Sequence, residues 1–371
     1  MKLHRFGPAI AIATAGALLL SACGSDDPTG SGNAGAGSEG GAELSGTLQG
    51  IGSSAQKSAM DAWIAGFQGI ASGATVQYSP DGSGAGREQF LAGAANFAGS
   101  DAALDDDELT AAKEVCGPEG AYEFPVYVSP IAVAYNLPGV DDLQLAPETI
   151  AGIFSGKITS WNDEKIAKDN PDAKLPDTKI TPVHRSDESG TTENFTDYLA
   201  VAAKDAWGQE PAQEFPKDFG GEAAQGTTGV IQTVEGAEGA IGYADDSAVS
   251  DKLGTAKVKV GDEYVELSAE AASAVVDASP RVEGRGEHDL AIEVARDTTE
   301  SGAYPIVLVS YHIVCSSYKD QETVDLVKEW EKYVVSEDGQ KEAQASAGSA
   351  PISDDLRADI EKALEAITVA K

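Results

Sequence analysis

Ile180-Thr181-Pro182-Val183-His184-Arg185-Ser186-Asp187-Glu188-Ser189-Gly190-Thr191-Thr192 is the stretch whose reading decides the fold. Its first five residues alternate with β-branched side chains and read as a strand. Phe195, Tyr198 and Leu199 follow at helical spacing, so the strand passes into a helix with Ser189 at the cap position. Strand, short polar turn, helix is the repeating unit of an α/β protein. The same form occurs twice upstream. A strand at 47–51 leads through Gly50-Ile51-Gly52-Ser53-Ser54-Ala55 into a helix carried by Met60, Trp63, Ile64 and Phe67. A strand at 74–78 leads through Asp81-Gly82-Ser83-Gly84-Ala85-Gly86 into a helix through Phe90 and Leu91. Farther out, 127–136 and 306–314 are runs suited to buried strands. Pro147 opens a helix through Ile150, Ile153 and Phe154 that Gly156 closes. A hairpin over 258–267 turns at Gly261-Asp262, and helices are expected at 322–335 and 354–367. The alternation predicts helices on both faces of mainly parallel sheets.

The three junctions share a chemistry. A helix N-terminus presents unpaired N–H groups and the positive end of its dipole, and glycine lets the backbone approach an anion closely. Serine or threonine adds an O–H donor. One such junction is an ordinary helix cap. Three at the carboxyl ends of strands, where open sheets bind ligands, point to an anion cleft. Arg185, four residues before Ser189, adds a fork of charged donors.

The charge sets limits. With 61 acidic against 26 basic residues, the formal charge of the 371-residue chain is −35. That excludes nucleic-acid binding, which needs a basic surface, and electrostatic adhesion to anionic lipid. An anion must therefore be gripped by local, mostly neutral donors. Three Cys and four His leave little for a metal cage. Neither His288 nor His312 belongs to a metal spacing, and His184 reads as a strand end. The four Trp fit packing, and Asp105-Asp106-Asp107-Glu108 reads as an acidic helix start.

Further tracts carry a resemblance. Ser83-Gly84-Ala85-Gly86 followed by Asn96-Phe97-Ala98-Gly99-Ser100-Asp101, then the run from Gly152 to Asp163 (Gly-Ile-Phe-Ser-Gly-Lys-Ile-Thr-Ser-Trp-Asn-Asp), then 185–192 and Gly239-Ala240-Ile241-Gly242-Tyr243, stand in one order. Together they resemble the substrate-binding proteins of the phosphate-specific ABC transporter, from about Leu44 to the last helix. The resemblance implies a two-lobed α/β fold of the periplasmic-binding-protein type II, with two hinge strands near 124–130 and 304–310. Lobe I would combine 44–125 with 306–371, lobe II would be 126–305, and dehydrated phosphate would lie between them. Carried over, Ser54 and Ala55 donate from the first junction and Ser83 from the second. Arg185 supplies the guanidinium, and Ser189, Gly190 and Thr191 donate from the third. Asp101 accepts a proton from the ligand, and Asp187 partners Arg185. At the first junction the family usually has Thr-Phe, so either Ser53 or Ser54 can be the inward hydroxyl. The tail carries Ala350-Pro351-Ile352-Ser353 where Ala-Pro-Leu-Pro is common. The function implied is extracytoplasmic capture of inorganic phosphate by a monomer and delivery to a membrane permease, with no enzymatic activity, metal or cofactor. The alternatives are another tetrahedral oxyanion, sulfate or molybdate, and more remotely a secreted phosphatase or a structural surface protein.

The N-terminus sets the compartment. Lys2, His4 and Arg5 precede an apolar run ending in Leu20-Ser21-Ala22-Cys23. This resembles a bacterial lipoprotein signal over 1–22, with Cys23 acylated and anchoring the protein to the outer face of the cell membrane. Residues 23–43, rich in Gly, Ser and Ala, read as a flexible tether. In an exported protein the other two cysteines, Cys116 and Cys315, read as one disulfide, the alternative being two buried thiols.

Overall fold

The computed structural model describes residues 44–371. The signal segment 1–22, Cys23 and the tether 23–43 lie outside the described residues.

Two long strands, Ala121–Tyr135 and Val307–Cys315, are buried at every residue. Their near-continuous apolar and β-branched runs suit strands covered on both faces. They pair antiparallel from Ala121 opposite Cys315 to Pro130 opposite Val307, with a register shift at Ser310/Tyr311. Beyond Pro130 the first strand runs on, and Ile131–Tyr135 pair with Ala240–Asp245. The other edge of Val307–Cys315 takes Phe97–Ser100, then Gly46–Gly52, then Ala74–Ser79. Beyond Ala240–Asp245 come Thr181–Arg185 and Glu222–Ala224. Each flanking group is parallel within itself. Sheet pairing is therefore mixed rather than mainly parallel, because the two long strands in the middle pair antiparallel with each other and with the strands on either side.

The early and late parts of the chain share one core. Helix Lys57–Ile70 turns Met60, Trp63 and Phe67 inward. Trp63 Nε1 donates to the carbonyl of Gly339 at 2.8 Å, and Phe67 meets Trp330 edge-on at 5.3 Å between centroids. Cys116 and Cys315 form the expected disulfide across 199 residues, with Cα atoms 4.7 Å apart. It ties the end of helix Asp106–Cys116 to the end of the second long strand, and closing so long a loop stabilises by about 3–5 kcal/mol. Asp105 and Glu108 form a capping box on that helix, which accounts for the acidic run. All four Trp are fully buried packing residues. The expected hairpin pairs Lys257–Val260 with Glu263–Val265 about Gly261, at φ +57°. No helix among the described residues is long and apolar enough to cross a membrane.

Candidate functional site

The second and third junctions pack directly on one another. Gly82 precedes helix Ser83–Leu91 at φ +109°, and a Cβ there would lie 2.8 Å from Asp187 Oδ2. Glycine is required twice over, by its backbone conformation and by the close approach. Ser83 is buried, and its Oγ accepts the N–H of Asp101 at 3.1 Å.

Ser189 caps helix Gly190–Ala202, its Oγ accepting the N–H of Thr192 at 3.3 Å. A Cβ on Gly190 would lie 2.7 Å from Asp101 Cβ, so only glycine lets this helix start against Asp101. Thr191 Oγ1 donates to Asp101 Oδ2 at 3.0 Å, and Ser310 Oγ donates to Oδ1 at 2.5 Å. Asn194 Nδ2, one turn into the helix, holds the carbonyls of Asp101 at 2.6 Å and Gly190 at 2.8 Å. Asp101 is 3% exposed. A carboxylate is thus buried between two helix starts, with hydroxyl donors on both of its oxygens.

Arg185 ends the strand Thr181–Arg185 and is as buried as Asp101. Asp187 grips it in a fork, through Nε at 2.8 Å and through Nη2. Asp187 also accepts the N–H of Gly226 at 3.1 Å. Burial opposes its charge, but Arg185 and that N–H outweigh burial and hold the carboxyl below the usual range. Nη1 of Arg185 has no protein partner among the described residues, leaving one charged donor edge for a ligand.

At the first junction the two serines divide. Ser53 is fully buried, and its Oγ turns back to accept the N–H groups of Ala55 at 3.1 Å and Gln56 at 3.4 Å. Ser54 faces across the cleft: its Oγ lies 3.0 Å from Thr227 Oγ1 and accepts the N–H of Thr227 at 3.1 Å. The N–H of Ala55, expected to point at a ligand, is held by Ser53 Oγ. Tyr78 donates its hydroxyl to the Ser53 carbonyl at 2.8 Å; burial and the charge of Asp101 push its phenol well up, so it remains a donor.

Ser83, Asp101, Arg185, Ser189, Gly190 and Thr191 therefore gather at one place. Ser54 connects to them through Thr227, Gly226 and Asp187, whereas Ala55 turns its N–H back to Ser53. Three contributors escaped the sequence reading: Ser310, Asn194 and Thr227. Only Thr227 carries a signal, since Gln225-Gly226-Thr227-Thr228 has the form of Ser189-Gly190-Thr191-Thr192. His184 is a packing residue stacked on Phe215 at 4.2 Å, and His312 is buried against Glu331. Such a cleft, with neutral donors, one guanidinium edge and one carboxylate acceptor, suits a small anion that still carries a proton.

Fold and cleft together define a class. The model of the PBP superfamily domain matches residues 37–338. A high-affinity periplasmic phosphate-binding protein, PfluDING, solved with phosphate bound, has the same fold: the TM-score is 0.70 over 85% of this chain and 93% of that one, at 20% identity. Phosphate-binding protein PstS3 of Mycobacterium bovis BCG is 37% identical over 99% of this chain and all of its own length. PstS2 of the same strain is 36% identical over the same shares. The chain belongs to the PstS family of phosphate-binding proteins, periplasmic-binding-protein folds of type II.

Proposed function

We propose that this protein binds inorganic phosphate outside the cytoplasm and delivers it to the permease of a phosphate ABC transporter. The observation that carries the reading is Asp101, a buried carboxylate held by the hydroxyls of Thr191 and Ser310 at the start of helix Gly190–Ala202. Phosphate keeps a proton at neutral pH and can donate it to Asp101. Sulfate has none and would meet an unpaired negative charge in a dry site. That disfavours sulfate as the alternative ligand. Ser54, Ser83, Arg185, Ser189, Gly190 and Thr191 supply the donors, while the N–H of Ala55 stays with Ser53. Calorimetry on a soluble chain beginning at Leu44 should show one phosphate bound per chain, with excess sulfate or molybdate leaving the heat unchanged. No phosphate heat, or displacement by sulfate, would sink the reading.

The protein works as a monomer of two lobes, 44–125 with 306–371 and 126–305, which close by hinge motion about the two long strands. Continuous pairing of those strands through the middle of the sheet supports this division. Acylation of Cys23 holds it on the outer face of the membrane near its permease. Cys23→Ser should leave the precursor unprocessed or release the protein from membranes; unchanged lipid labelling and retention would rule the anchor out.

A further inference from the structure

We infer that the start of helix Gly226–Gly236 positions ligand groups on both sides of the cleft, and that Thr227 is the positioning residue for the Ser54 hydroxyl. This deepens the phosphate reading and rests on it. Two consecutive residues face opposite ways. The N–H of Gly226 donates to Asp187 Oδ1 at 3.1 Å, and Asp187 in turn grips Arg185. The N–H of Thr227 donates to Ser54 Oγ at 3.1 Å, and its Oγ1 lies 3.0 Å from the same atom, 173 residues away in the chain. No side chain caps this helix, so its first N–H groups are available to these two acceptors. Thr227 itself is 3% exposed.

Proton accounting gives Thr227 its role. A serine hydroxyl has one proton and two lone pairs. The Thr227 N–H occupies one lone pair of Ser54. If Ser54 spent its proton on Thr227 Oγ1, it would have none for an anion. With phosphate bound, Thr227 Oγ1 must be the donor, filling the second lone pair and leaving the Ser54 proton aimed at the ligand. A hydroxyl accepting two bonds is polarised into a stronger donor. Thr227 thus acts through Ser54 without touching phosphate, and the same bonds join residues of the two proposed lobes. Its contribution belongs to the closed state and hence to the dissociation rate.

The test uses the full-length protein with inorganic phosphate, measured by calorimetry and stopped-flow fluorescence. Thr227→Val keeps the shape and the N–H and removes only the hydroxyl. Affinity should fall about tenfold, the worth of one well-placed hydrogen bond. The loss should appear as faster dissociation, with association changed by less than about twofold. Thr227→Ser should restore both. With Ser54→Ala already in place, Thr227→Val should cost nothing further, because the two residues act as one unit. Parent-like dissociation in Thr227→Val would overturn the inference, as would a Thr227→Ser variant as weak as the valine or additive losses in the double variant. A parent that fails to bind phosphate would instead bring down the functional reading, and this inference with it.

Discussion

Arg185→Ala should weaken phosphate binding by roughly 30- to 5,000-fold, from the about 2–5 kcal/mol lost when one partner of a desolvated charge pair is removed. The size follows from what the substitution leaves behind. Arg185 is the only cation among the gathered side chains, and at a net charge of −35 the rest of the protein offers the ligand no long-range attraction. Asp187, whose side chain is 15% exposed, would keep backbone N–H donors such as that of Gly226 but lose its guanidinium partner, and would place an uncompensated negative charge beside the anion. Loss of attraction and gain of repulsion therefore add. Arg185→Ala with Asp187→Asn should recover part of the affinity, because the repulsion goes with the carboxylate. Equal affinities for the single and double variants would show that Asp187 contributes no repulsion, and parent-like binding by Arg185→Ala would remove the guanidinium from the site. The pairing also sets an acid limit. Because the carboxyl of Asp187 is depressed in the folded protein, the stability it supplies is complete above the ordinary carboxylate range and is lost only as pH falls through the lowered value.

What the sequence disclosed and what it hid have physical reasons. Ser189 and Gly190 were legible because a cap hydroxyl and a helix-starting glycine stand at a sharp change of period, from the alternation of 180–184 to the helical spacing of Phe195, Tyr198 and Leu199. A fourth junction has the same form at Gly226-Thr227, but its strand, Glu222–Ala224, is three residues, two exposed and one half-buried, with no alternation to announce it. Ser310 was hidden for the opposite reason. It sits in a β-branched run that reads as plain buried strand, and only the antiparallel register with Phe97–Ser100 brings it beside Asp101. Helix Glu337–Ala347 went unread because its buried face is Gly339, Gln340, Ala343 and Ala347, helical in spacing but too small and polar to stand out as an apolar stripe. Gln340 there is a buried polar tie, its amide donating to the carbonyls of Val126 and Val334 at 3.0 Å and accepting from Ile352. Local signals thus predicted many of the elements and most of the residues that the fold gathers at the cleft. Contacts made across long stretches of chain had no local signal to read.

Asp101→Asn should convert the selectivity of the site rather than abolish binding. In the parent, Thr191 and Ser310 each donate to one carboxylate oxygen, and the remaining lone pairs can accept the proton of phosphate. An asparagine keeps one acceptor oxygen and turns the other position into an NH2 donor. Ser310 already accepts from Gln56 Nε2 at 2.7 Å, so its proton stays directed at position 101 and fixes the amide oxygen on its side. The amide nitrogen then faces Thr191, whose hydroxyl can rotate to accept, and the second amide proton points at the ligand. Phosphate loses the acceptor for its own proton and should bind about tenfold or more weakly. Sulfate and selenate, tetrahedral dianions without a proton, gain a donor and lose a buried repulsive charge. Both should become measurable competitors in phosphate displacement calorimetry, while arsenate, which keeps a proton, should weaken in step with phosphate. A variant that excludes sulfate as strongly as the parent would return Asp101 to the role of a helix-start acceptor. It would also move the source of selectivity to the donor geometry of Ser83, Ser189 and Thr191.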